Sequence, residues 1–179
     1  MIPVIPAPVH WEMKDGTFIL DKTCVFVAAA DAAEVAEGLV RSLAPSLGIE
    51  YVVFPAPPQE GYKTVWLRLD PSLGQLGPEG YRISITPDKV EMAAAEPAGL
   101  FYATQTLCQL LPPEIFSRSP VSGVQWTIPC VEIEDYPRFP WRGAMLDVCR
   151  HFMPIEFIYK YIDLLALHKC NTLHWRCQI

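Results

Sequence analysis

At 179 residues, 51% of them hydrophobic and 19% charged, the chain is long enough for one packed domain and a piece of another, and too apolar to stay disordered. Its net charge of −6 is offset by no basic block, which excludes the clustered Lys and Arg that a nucleic-acid backbone requires. No apolar run approaches the roughly 18 residues of a membrane span, and the N-terminus lacks the basic-then-apolar order of a secretion signal, which leaves the compartment open.

Eighteen prolines divide the chain into short periodic segments. The opening Met1-Ile2-Pro3-Val4-Ile5-Pro6 reads as an extended strand or strand edge. Thr17-Phe18-Ile19-Leu20 and Cys24-Val25-Phe26-Val27 are strand-like, with Asp21-Lys22 as a turn. From Asp31 to about Leu43 the Ala, Glu and Leu content predicts a helix, with Asp31 as N-cap and Pro45 and Gly48 closing it. Ile49 to Phe54 and Thr64 to Leu69 read as two further strands, joined by a loop from Pro55 to Gly61. Tyr81 to Ile85 and Val90 to Ala93 alternate apolar and polar residues around Thr86-Pro87-Asp88-Lys89, which predicts a hairpin. Pro97 suits the first turn of a helix with Leu100, Ala103, Leu107, Leu110 and Leu111 as its apolar stripe, stopped by Pro112-Pro113. A polar loop from Glu114 to Gly123 leads to a strand from Gln125 to Ile133. Glu132, Glu134 and Asp135 then read as the solvated end of that strand rather than as a catalytic acidic pair.

Beyond the proline-rich Tyr136-Pro137-Arg138-Phe139-Pro140 the pattern changes, which places a domain boundary near residue 135. Gly143 to Val148 is a short apolar run of the kind expected for a strand buried on both faces. A helix follows from Pro154 to about Lys169, with Ile155, Ile158, Ile162 and Leu165 at helical spacing, and Asn171 to Trp175 is the next strand. Strand, helix, strand is the opening of a parallel architecture. The cysteines at 24, 108, 130, 149, 170 and 177 include no C-x-x-C pair, so they read as reduced, mostly buried thiols. His174 and Cys177 would supply only two ligands, and no metal site is expected from them.

Two stretches together carry a family resemblance. The first runs from Gly80-Tyr81-Arg82-Ile83 through Ala98-Gly99-Leu100-Phe101-Tyr102-Ala103-Thr104-Gln105-Thr106-Leu107 to Pro112. It resembles the hairpin and helix of the small α+β domain that precedes the catalytic barrel in family 20 glycoside hydrolases. The second is Trp141-Arg142-Gly143-Ala144-Met145-Leu146-Asp147-Val148-Cys149-Arg150-His151-Phe152, followed by Lys169-Cys170-Asn171-Thr172-Leu173-His174-Trp175. It is similar to the first strand, first helix and second strand of that barrel. The resemblance implies an α+β domain over residues 1–135, a mixed or antiparallel sheet with helices on one side. Residues 136–179 would then be an incomplete fragment of a (β/α)8 TIM barrel.

The family's chemistry follows as an expectation. Its β-N-acetylhexosaminidases remove terminal N-acetylglucosamine or N-acetylgalactosamine from glycans by a substrate-assisted retaining mechanism. The substrate's acetamide attacks the anomeric carbon, an Asp orients that acetamide, and the adjacent Glu is general acid and then base. No Asp-Glu pair in that context occurs in this sequence, so no catalytic residue is assigned and the chain alone is expected to be inactive. No cofactor, metal or nucleotide, is expected; the expected partners are N-acetylhexosamine-containing glycans, met with a complete barrel. On position alone Arg142, at the mouth of a buried strand, reads as a structural ion-pair residue. The resemblance implies instead that it grips sugar hydroxyls. Asp147, Arg150 and His151 read either as a polar network bracing the pocket or as a charge cluster fixing the strand-to-helix turn. His174 and Trp175 read as core residues when taken as a bare pair, and the resemblance sets them near the pocket floor.

The sequence leaves the family's pattern at Arg176-Cys177-Gln178-Ile179. So abrupt a departure is read as a disrupted reading frame or the cut edge of a longer protein. A barrel fragment of this length leaves an open parallel edge and an apolar helix face, which are expected to be exposed and open to self-association, swapped into a partner, or supported by further residues. Two other readings stay open: a non-catalytic glycan-binding or interaction module, and a related glycan hydrolase that shares the preceding domain. The R-G-x-x-L-D-x-x-R-H-F spacing weighs against the second.

Overall fold

The computed structural model describes residues 2–56 and 61–177, which form two units, 1–136 and 137–179. In the first, alternating strands build a seven-stranded sheet. The strands are β1 (His10–Ile19), β2 (Val25–Ala28), β3 (Val53–Phe54), β4 (Thr64–Leu69), β5 (Tyr81–Ile85), β6 (Lys89–Ala94) and β7 (Thr127–Asp135). Their spatial order is β1-β7-β5-β6-β4-β2-β3. The half from β1 to β6 is antiparallel, and the half from β6 to β3 is parallel. Helices α1 (Ala33–Leu47) and α2 (Pro97–Leu110) bury Ala36, Leu39 and Leu43, and Leu100, Ala103 and Leu107, in the same cluster as Phe18, Phe26, Leu67, Ile83 and Met92. Each of the Leu, Ile, Met and Phe side chains among these contributes about 1.5–3 kcal/mol when fully removed from water.

The other face of the sheet is polar, because successive strand residues point to opposite sides. In register across it, Arg82 pairs with Glu134 at 2.6 Å, Ser84 Oγ donates to Glu132 at 2.6 Å, and Arg68 bridges Glu91 at 2.8 Å and Asp70 at 2.6 Å. Ala93, an apolar member of this face, is covered by Leu73 and Leu76 from a 3-10 turn, Pro71–Leu76.

The hairpin, the second helix and β4 lie where periodicity puts them. Other segments depart from expectation for local reasons. Residues 2–9 form no strand: Pro3, Pro6 and Pro8 lack the N–H groups a ladder needs. Ile2 and Val4 are nevertheless buried, and the Gln109 side chain pairs with both the N–H (2.7 Å) and the carbonyl (3.0 Å) of Ile5. Strand β1 starts seven positions before the expected Thr17, its polar run passing a register shift that contains Gly16 at φ 103°. Asp31 is not the N-cap of α1; Ala32 is, without a side-chain bond, and Pro45 lies inside the last turn while Gly48 at φ 65° ends the helix. Of the strand expected from Ile49 only Val53–Phe54 is formed. Residues 57–60 of the expected loop, together with Met1, Gln178 and Ile179, lie outside the described residues. The polar loop after α2 holds a 3-10 turn, Pro113–Phe116, with Ile115 buried.

The second unit contains β8 (Gly143–Asp147), α3 (Ile155–Leu167) and β9 (Thr172–Arg176), with β8 and β9 parallel. The expectation of a strand buried on both faces is corrected here. With one strand neighbour among the described residues, β8 is half-buried to exposed along its length. Of the apolar stripe on α3, Ile158 is buried, whereas Ile155 and Ile162 are exposed. No helix is long and apolar enough to cross a membrane among the described residues.

Candidate functional site

The six residues singled out in the second unit are spread along the parallel pair, with Asp147, Arg150 and His151 at its carboxyl end and His174 and Trp175 within β9. Arg142 stands at the amino end. Its Nε donates to the Lys169 carbonyl at 2.7 Å and a terminal guanidinium nitrogen to the Phe139 carbonyl at 2.9 Å. Its backbone N–H donates to Asn171 Oδ1 at 3.0 Å, and its carbonyl accepts from the Asn171 and Thr172 amides. Asn171 Nδ2 closes the cluster on the Pro140 carbonyl at 2.7 Å. Lys169 sits at φ 59°, the left-handed turn that reverses the chain into β9. Gly143 is required beside it, since a Cβ there would lie 2.6 Å from the Thr172 carbonyl. This arrangement explains why R-G and K-x-N appear together: they are one backbone clamp. Asn171 was not singled out from the sequence, although the K-x-N spacing held the signal.

At the carboxyl end Asp147 accepts from the Cys149 amide at 2.9 Å and lies 3.8 Å from both Arg150 and Arg176. The hydrogen bond from the Cys149 N–H first, and then the positive charges of Arg176 and Arg150, hold its carboxyl below the usual carboxylate range. The Arg150 side chain is 81% exposed, and His151 is exposed beside it. Arg176, also missed in the sequence reading, joins this cluster because it is in register with Asp147.

His174 and Trp175 are exposed among the described residues. Trp175 is 48% exposed. In register His174 lies opposite Met145 and Trp175 opposite Leu146, so the two point to opposite faces of the pair.

The acidic stretch closing β7 also differs from expectation. Asp135 is 8% exposed and accepts from the Tyr81 hydroxyl at 2.7 Å and the Val9 amide at 3.1 Å, while that hydroxyl shares a 2.6 Å bond with Thr106. Strand β7 continues two residues further than periodicity suggests, which turns Asp135 inward. Glu132 and Glu134 do lie on the polar face. Cys24, Cys108 and Cys130 are buried; Cys149 and Cys177 are exposed and Cys170 is intermediate. Among the described residues no group of three His, Cys, Asp or Glu side chains is arranged to hold a metal ion.

Residues 1–136 match the model of glycosyl hydrolase family 20, domain 2, and residues 139–178 match the family 20 catalytic domain. The chain belongs to glycosyl hydrolase family 20. It is 37% identical, over 97% of its length, to the β-hexosaminidase of Porphyromonas gingivalis, of which it spans 22%. The family 20 β-N-acetylhexosaminidase of Streptomyces coelicolor superposes with a TM-score of 0.87 at 35% identity, over 98% of this chain and 34% of that one. A mutant Streptomyces plicatus β-hexosaminidase in complex with its product, GlcNAc, superposes at 0.86 and 35% identity over the same shares. The chain thus comprises domain 2 of a family 20 hydrolase and a part of its catalytic domain, and spans between a fifth and about a third of these relatives.

Proposed function

We propose that the protein is the leading part of a β-N-acetylhexosaminidase acting on terminal N-acetylglucosamine or N-acetylgalactosamine of glycans. The observation that carries this reading is the polar cluster at the carboxyl ends of β8 and β9, inside the stretch that matches the catalytic domain. In this reading residues 137–179 open a (β/α)8 barrel, whose reactions take place at the carboxyl face of its strands. The product complex of the Streptomyces plicatus relative supports the choice of sugar.

The reading also amends the role of Arg142. Its Nε and one terminal nitrogen donate to backbone carbonyls at the amino end, so it acts as the brace that joins the two strand starts. Arg150, exposed at the carboxyl end and steadied by Asp147, is the arginine with a free approach to sugar hydroxyls. Retention would be substrate-assisted, the acetamide carbonyl serving as nucleophile. The general acid and the residue orienting the acetamide must come from an Asp-Glu pair that this sequence does not contain, so the chain alone turns over no substrate.

A chimera tests this. Residues 1–177 replace the matching segment of a complete family 20 enzyme, and hydrolysis of a nitrophenyl N-acetylglucosaminide is followed. The chimera should hydrolyse it. Arg150→Ala should then lower kcat/KM by roughly 10- to 100-fold, the scale of a lost charge-assisted bond to substrate. Arg142→Ala should chiefly lower the melting temperature. A folded, inactive chimera overturns the proposal.

A further inference from the structure

The two exposed thiols of the second unit lie at the same end of the parallel pair and have no part in the reading above. We infer that Cys149 and Cys177 form a reversible disulfide across the carboxyl ends of β8 and β9. The register closes with Asp147 opposite Arg176. The Val148 amide then donates to the Arg176 carbonyl at 3.3 Å, which carries the alignment one residue further and sets Val148 beside Cys177. Cys149 Sγ reaches back over this step to the same Arg176 carbonyl at 3.4 Å. Cys149 lies in a bend beyond β8. Because the Arg176 carbonyl is bonded directly to Cys177, the Cys149 thiol comes within about 6 Å of the Cys177 Cα. Rotation of the two side chains closes that gap to the roughly 2 Å of a disulfide. Both side chains are exposed, so a small reagent can enter. Cys170, the third thiol of this unit, precedes β9 at its other end.

The oxidant is a small-molecule disulfide of the glutathione class. One protein thiolate attacks a sulfur of that disulfide, forming a mixed disulfide and expelling one small thiolate. The second protein thiolate attacks the protein sulfur of the mixed disulfide, closes the bridge and expels the other. Two protein thiols are oxidised, one small disulfide is reduced to two thiols, and these take up the two protons. The bridge ties the turn bearing Arg150 and His151 to the end of β9. Its effect on catalysis rests on the proposed function; the pairing itself does not.

The test treats the whole 179-residue chain with oxidised glutathione in native buffer and in guanidinium chloride, then maps linked peptides by mass spectrometry. In an unfolded chain loop closure favours the nearer pair, Cys170 with Cys177. A folded second unit is therefore required for the longer link to win. Cys149–Cys177 should exceed Cys170–Cys177 by roughly tenfold in native buffer, and the preference should reverse in denaturant. Cys170→Ser should leave the native link in place, and dithiothreitol should release it. Glutathione adducts on both cysteines without a bridge, a dominant Cys170–Cys177 link in native buffer, or links only between molecules would each overturn the inference. A hydrolysing chimera that forms no bridge removes this inference alone; a bridged protein whose chimera hydrolyses no hexosaminide removes the proposed function alone.

Discussion

Asp135 shows how a single residue can change character with one more turn of strand pleat. Read as the third acid of Glu132, Glu134 and Asp135, it belongs to a solvated end; paired with Tyr81 and Val9, it ties β7 and β5 to the N-terminal segment. Burial and the facing Asp135 charge drive the Tyr81 hydroxyl well above its ordinary pKa, which keeps it a donor. Tyr81→Phe takes away one donor to a buried carboxylate and should cost about 1–3 kcal/mol, read as a lower urea midpoint with an unchanged slope. Asp147 gives a pH dependence of definite sign. Its folded pKa is depressed, so the stability it contributes is complete above the unfolded carboxylate value and is lost as pH falls through the lower folded value. Arg176→Gln should move the Asp147 carboxyl titration upward when followed by NMR; an unmoved titration would show that Arg176 exerts no effect there.

At the scale of elements, the strongly periodic segments were readable and the ends were not. The hairpin and α2 follow from alternation and from Pro97 in the first turn, both local properties of the chain. What lets α2 lie against the hairpin is Gly99, where a Cβ would overlap the Gly80 carbonyl oxygen. Gly99→Ala should therefore destabilise by about 2–3 kcal/mol through forced displacement of the helix, measurable by denaturant unfolding. Gly48 combines φ 65° with Pro120 Cβ 3.3 Å from where its own Cβ would stand. Its replacement by Ala should cost about 1 kcal/mol and lower the melting temperature. Neither contact partner is near in sequence. For the same reason Asp31 misleads as a cap: its local chemistry suits the role, but the helix begins two residues later with Ala32 fully buried.

At the scale of the whole molecule the two units present different surfaces. The first buries its large side chains around one cluster, whereas in the second Phe152 is 90% exposed and Ile155, Tyr159, Ile162 and Leu164 are exposed along or beside α3. Amide exchange should therefore be slow in β4, β5 and β6 and fast throughout α3, resolved by peptide-level mass spectrometry. The exposed apolar surface should also drive concentration-dependent association of the isolated chain in sedimentation velocity, and replacing Ile155 and Ile162 by Lys should weaken it.

The sequence by itself determined the hairpin, the second helix and the family, because hydrophobic period, proline placement and the R-G-x-x-L-D-x-x-R-H-F spacing are local in the chain. Only the tertiary structure decided which charged side chains serve which end of the strands. Arg142 and Arg150 are the same residue type eight positions apart, and nothing in their spacing separates brace from exposed arginine. The parallel pairing does so, by carrying Asn171 and Lys169 to the first and leaving the second at the open carboxyl end.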